Sequence, residues 1–190
     1  MKKNTISEIK GYKMVSLVQK GILKFDSKLS ICMKETADSL REVLAQVEPL
    51  LRNLNDDTAS LKPSPQKWSP KQVIGHLIDS GNNNQMKFTK LISHNNIDVE
   101  GYQQDEWVMA QNYQAYDWHD LLIFWRCLNL HIAHIIENTP SSALNHEISV
   151  NGAGSYRLDF IMTDYVEHIK HHINQAIPSA NLSHNFKMIY

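Results

Sequence analysis

Four stretches of this 190-residue chain carry apolar residues at helical spacing, and that recurrence restricts it to a packed set of helices. Residues 33–54 put Leu40, Val43, Leu44, Val47, Leu50 and Leu51 on one face, with charges elsewhere. The second stretch opens at Ser69-Pro70-Lys71-Gln72. There serine can cap free amides, proline suits the first helical position, and glutamine completes a capping box. This helix should run from about Pro70 to about Ser93 and bury Val73, Ile74, Leu77, Ile78, Gly81, Phe88 and Ile92. The third follows Asp117, a suitable N-cap, and continues to Asn138 before Pro140. Its inward stripe is Leu121, Trp125, Leu128, Ile132, Ile135 and Ile136. The last spans about Leu158 to Ile177 and stops before Pro178.

Two connections matter. Residues 94–116 read as a long polar loop with aromatic anchors at Tyr102, Trp107, Tyr113 and Tyr116. Residues 146–157 alternate weakly around Asn151-Gly152, which predicts a small hairpin or an ordered loop. The expected fold class is all-α: a four-helix bundle with a long crossover loop and a small hairpin before the last helix. Residues 1–32 read as a basic, peripheral N-terminal extension, 33–178 as the bundle, and 179–190 as an irregular tail. No internal repeat is visible.

Composition narrows the function classes. Seven lysines against Glu8 and Asp26 make residues 1–30 net +5, so the remainder carries −6 in a chain of formal charge −1. A near-neutral total predicts no nucleic-acid partner. No apolar run is long enough to span a bilayer, so no membrane partner is expected, and no secretory signal is evident. Cys32 and Cys127 belong to no Cys-x-x-Cys pair, a usage that fits a reducing cytoplasm.

Ten histidines invite a metal reading, but spacing alone is weak and position on a helix decides. With His168 at zero and about 100° per residue, Leu158, Ile161, Tyr165, Ile169 and Ala176 centre a buried face near about 70°. His172 falls inside that face and His168 on its shoulder, whereas His171 should point to solvent. Two imidazoles one turn apart can share an ion. The competing reading is two core histidines satisfied by neighbouring hydroxyls and carbonyls. A metal would bind both neutral rings and remove their mutual repulsion. His76 lies on the flank of the second helix, with Ser80 and Asn84 continuing along it. Taken alone it reads more simply as a hydrogen-bonded packing residue. His131 and His134 should be exposed. A metalloprotease helix, paired Glu-x-x-His motifs and a P-loop are all absent.

The segments WSPKQVIGHLIDS (68–80), GYQQDEWV (101–108) and DYVEHIKHHINQ (164–175) together resemble the DinB-like superfamily of metal-binding four-helix bundles. The resemblance covers roughly residues 33–178. It implies a divalent ion held by His76, His168 and His172, zinc or nickel first, with iron and manganese as further candidates. It also implies a small-molecule substrate and a low-molecular-weight thiol, since the family includes bacillithiol and mycothiol S-transferases. Three neutral imidazoles leave such an ion its full charge and vacant positions, as a catalytic site needs. A thiol or a water bound there would lose its proton readily, so thiol transfer is the first expectation and hydrolysis the second. A non-enzymatic stress-related bundle or a homodimer-forming module is the competing class. No general base stands out. Asp79, Glu106 and Asp164 could serve as outer partners of the site or as bases but read more simply as surface or capping carboxylates, and Tyr165, on the site's face, reads as a core tyrosine.

Overall fold

In the computed structural model, residues 32–187 are described. The expectation for residues 1–32 therefore falls almost wholly outside them. Helix α1 occupies 32–52 of the described chain, and α2 (Asp56–Ser60) is a short turn of helix after it. Helix α3 spans Pro70–Ser93, with the capping box formed in both directions. Ser69 Oγ accepts from the Gln72 amide at 3.3 Å, and Gln72 Oε1 accepts from the Ser69 amide at 3.1 Å. Helix α5 (Trp118–Glu137) is capped by Asp117, whose carboxylate accepts from the Asp120 amide. Helix α6 runs over Leu158–Ala176.

The four long helices bury one continuous apolar core, with α3 packed against both α5 and α6. Helix α1 meets α5 through the Trp118 indole, which donates to the Leu51 carbonyl at 3.2 Å. A buried lysine joins three elements: Lys71, 2% exposed, reaches Asp56 Oδ1 at 2.7 Å, and that oxygen also accepts the Trp118 amide. Burying a cation is tolerated because its charge is met there. The buried faces are rotated slightly from those read in the sequence. Leu50, Ile92, Leu128 and Ile135 are only partly buried, while Leu91, Leu122 and Ala133 are fully inside.

The 94–116 segment is not a structureless loop. It contains strand β1 (Asn96–Val99), helix α4 (Gln104–Ala110) and a 3-10 turn at Tyr113–Ala115. Helix α4 buries only Val108, too little to leave an amphipathic signature. Strand β1 forms because it pairs in parallel with β2 (Glu147–Val150), a partner far away in sequence. Of the four aromatic anchors, Tyr113 alone is buried. Trp107 and Tyr116 are exposed, and Tyr102 lies half-buried against Trp107.

The expected hairpin forms from β2 and β3 (Ala153–Arg157). Asn151 and Gly152 both adopt positive φ, 53° and 69°, as a tight two-residue turn between right-twisted strands requires. A mostly helical fold thus carries a small three-stranded sheet, ordered β1-β2-β3, across its long connection. After α6 a 3-10 turn at Pro178–Ala180 leads into a tail without regular structure that is nonetheless packed. Leu182 is buried and exchanges two hydrogen bonds with the Asn174 side chain, 2.8 and 2.9 Å. No helix among the described residues is long and apolar enough to cross a membrane.

Candidate metal centre

Helix α3 presents His76 from its flank, and α6 presents His168 and His172 one turn apart. The three rings meet. Their centroids lie 5.3 Å (His76–His168), 4.6 Å (His76–His172) and 4.4 Å (His168–His172) apart. One ring nitrogen from each falls within 4.8 Å of the others. His76 Nε2 stands 3.4 Å from His168 Nε2. With metal–nitrogen bonds of about 2.0–2.1 Å, two ligands on a tetrahedron are separated by about 3.4 Å. The spacing therefore suits a shared ion, and no fourth histidine, cysteine or carboxylate joins this group among the described residues.

The donor set has the required protonation. Burial, with His172 adding to it, lowers the His76 pKa to about 3. Burial drives His168 well below its ordinary value, helped by the other histidines, and takes His172 to about 4. All three are neutral at pH 7 and offer lone pairs. Once unfolded, each ring titrates near about 6.5. From there down to about pH 4 the unfolded chain binds more protons than the folded one, so stability falls as pH falls and is level above the window. We expect chelated protein to lose a few kcal/mol between about pH 7 and pH 4.5, read from its urea midpoint. An unchanged midpoint would show that the folded rings already protonate.

Neighbouring side chains hold the rings in place. Gln175 Oε1 lies 2.9 Å from His172 Nδ1 and accepts its proton, which leaves Nε2 for the centre. The other end of the same amide donates to His171 Nε2 at 2.9 Å. Ser80 Oγ lies 3.4 Å from His168 Nδ1, and Asn84 fixes that serine through its carbonyl and its hydroxyl. Such outer partners set tautomer and ring orientation, and losing one typically costs ~10–100-fold in metal affinity. Ser80→Ala and Gln175→Leu are each expected to show that loss in a competition titration with a chelating dye. Affinities within about twofold of the parent would remove both residues from this role.

The surroundings depart from the sequence reading in three places. His171, expected in solvent, is partly buried, because the tail returns over α6 and sets His184 and Phe186 against it at 5.0 and 5.3 Å. Phe186 also covers His168, at 5.0 Å. Asp79 is not a surface carboxylate. It is 1% exposed, and its Oδ1 accepts the Tyr113 hydroxyl at 2.8 Å and the Gln111 amide, while Oδ2 has no partner. Burial raises its pKa, and those two donors pull it back. Trp68, unremarked among the core candidates, roofs the centre, 4.9 Å from His76 and 6.4 Å from His172.

Other placements agree with the sequence. His131 and His134 are exposed, as is Cys127, and Glu106 faces solvent. Tyr165 is a core residue whose hydroxyl donates to the buried Asn129 at 2.7 Å. Only periodicity could have pointed to Trp68 and Gln175, and neither lies on an apolar stripe. Beside the centre, behind Trp68 and Gln175, opens a cleft of about 490 Å³.

Comparison with known proteins gives two matches relevant to this arrangement. The family model described as the DinB superfamily matches residues 39–176. Among solved structures, YfiT from Bacillus subtilis superposes with a TM-score of 0.61 at 16% identity, covering 82% of this chain and 85% of that one. It is described as a probable metal-dependent hydrolase with an unusual four-helix bundle topology. At that identity the likeness speaks for the fold alone. No curated protein matches the chain.

Proposed function

The chain belongs to the DinB superfamily, and from that premise we propose that it is a metal-dependent enzyme joining a low-molecular-weight thiol to a small electrophile. His76, His168 and His172 are the proposed ligands. The observation that carries this reading is the donor set: three neutral ring nitrogens within 4.8 Å of one another, with no fourth protein ligand beside them among the described residues. A structural site usually closes with four protein ligands, whereas a catalytic one leaves a position open. When bound, the ion would supply a positive charge that lowers the pKa of a thiol or water placed at that position.

The protein's own residues favour the thiol. Among the described residues no carboxylate joins the three rings to serve as a base. A thiol ordinarily titrates near about 8.5, so it needs only a small shift to ionise at neutral pH, and its proton can pass to solvent. Water starts near about 15.7 and needs far more. Sulfur would then bond to the electrophilic carbon while the leaving group departs with its electron pair. Gln175 and Ser80 would keep the rings oriented, and Trp68 would shield them from water.

Hydrolysis is the second reading, and its support is the description of YfiT as a probable metal-dependent hydrolase. Protein reloaded in turn with zinc, nickel, manganese or ferrous iron separates the two. We expect consumption of free thiol from a panel of small thiols with chlorodinitrobenzene, dependent on the ion and lost in His168→Ala. Turnover of esters or amides without thiol consumption would favour hydrolysis. Full metal loading with neither activity would refute both.

A further inference from the structure

The cleft beside the metal centre carries an inference of its own. Its walls come from five parts of the chain. The loop before α3 gives Lys67 and Trp68, α3 gives Val73, α4 gives Asp105, the end of α6 gives Gln175, and the following turn gives Pro178. About 490 Å³ is within the range of small-molecule sites. Its apolar lining is an indole face, two prolines and Val73, with the amides of Gln66, Asn174 and Gln175 beside them. Its charged groups are one cation and one anion, Lys67 and Asp105. Among the described residues neither forms an ion pair, with each other or with anything else. Two opposite charges on one cleft that leave each other unmatched are complementary to a ligand bearing both signs.

We propose that this cleft recognises a small amphoteric molecule of the amino-acid type, with its anionic group on Lys67, its cationic group on Asp105 and its apolar body against Trp68. The cleft also touches the metal centre through two shared residues. Trp68 packs against His76 with the ring centroids 4.9 Å apart, and Gln175 holds His172 at 2.9 Å. A molecule seated there lies beside the ion's ligands, which suits a substrate. That role as substrate rests on the reading of the centre as catalytic. The binding itself does not.

The test uses the full chain stripped of metal with a chelator, so that an amino acid cannot bind simply by chelating the ion. Tryptophan fluorescence and calorimetry would compare L-phenylalanine, which carries both charges, with 3-phenylpropionate and 2-phenylethylamine, which carry one each. L-Phenylalanine is expected to bind about tenfold tighter than either, the loss of one charge-assisted contact. Lys67→Ala should weaken L-phenylalanine and 3-phenylpropionate but not 2-phenylethylamine. Asp105→Asn should weaken L-phenylalanine and 2-phenylethylamine but not 3-phenylpropionate. Both positions are exposed, so neither change threatens the fold. Equal binding of the three probes, no saturation by about 10 mM, or variants that leave the order unchanged would each overturn the proposal. Thiol transfer that persists without selective binding would sink this inference alone. Selective binding without any turnover would sink the catalytic reading and leave this one standing.

Discussion

Replacing His168 by alanine is expected to empty the metal centre while leaving the helices in place. His168 touches both partners, with its Nε2 3.4 Å from that of His76 and its centroid 4.4 Å from that of His172. Two remaining imidazoles cannot hold a cation as three do, so the loss of affinity should exceed the ~10–100-fold that removing an outer partner costs. Elemental analysis after dialysis should find about one equivalent in the parent and less than about a tenth in the variant. The fold should survive because the His168 ring packs against Phe186 and Ser80 and the other two rings rather than against the apolar core. Circular dichroism checks that, and His131→Ala, on the exposed side of α5, is the control. Near-stoichiometric metal in His168→Ala would mean that this ring is no ligand.

The second large effect concerns stability. Gly75→Ala should destabilise the protein by about 3 kcal/mol, against the usual direction of a helical glycine-to-alanine change. An added Cβ at Gly75 would fall inside the ring of Tyr113, which is buried at 3% exposure. The ring must shift, and its hydroxyl then leaves Asp79, whose Oδ2 already lacks a partner. A buried carboxylate with fewer donors is expensive, and that cost adds to the overpacking. The urea midpoint measures it. Tyr113→Phe, which deletes only the hydroxyl, should lose about 1–2 kcal/mol. A Gly75→Ala variant as stable as its parent would show that the 3-10 turn swings freely away from α3.

Much of this architecture was legible because its causes are local. Ser69 and Gln72 lie three residues apart, and the capping box they form needs nothing beyond their own turn. Asp117 caps α5 in the same way, and Asn151-Gly152 supplies the two positive φ angles of the hairpin by its own chemistry. His168 and His172 could be placed together because one turn of helix separates them. What stayed hidden depends on distant chain. Strand β1 exists through its pairing with residues about fifty positions on, and α4 through one buried valine. Asp79 looked like a surface carboxylate, since nothing in its neighbourhood announces that Tyr113 and Gln111 will fold over it.

By itself the sequence determined where the long helices begin and end, to within a small rotation which faces they bury, and which histidines stand one turn apart, since caps and periodicity act over a few residues. Residue patterns alone did not tie His76 to the pair on α6; the resemblance implied it, and the tertiary structure brings His76, 92 positions from His168, to 3.4 Å from it. That structure also decided that Gln175, Ser80 and Trp68 surround the centre, and that the tail closes over it with Phe186. The reason is physical: such contacts are set by the path of the backbone through the packed core, which no local pattern encodes.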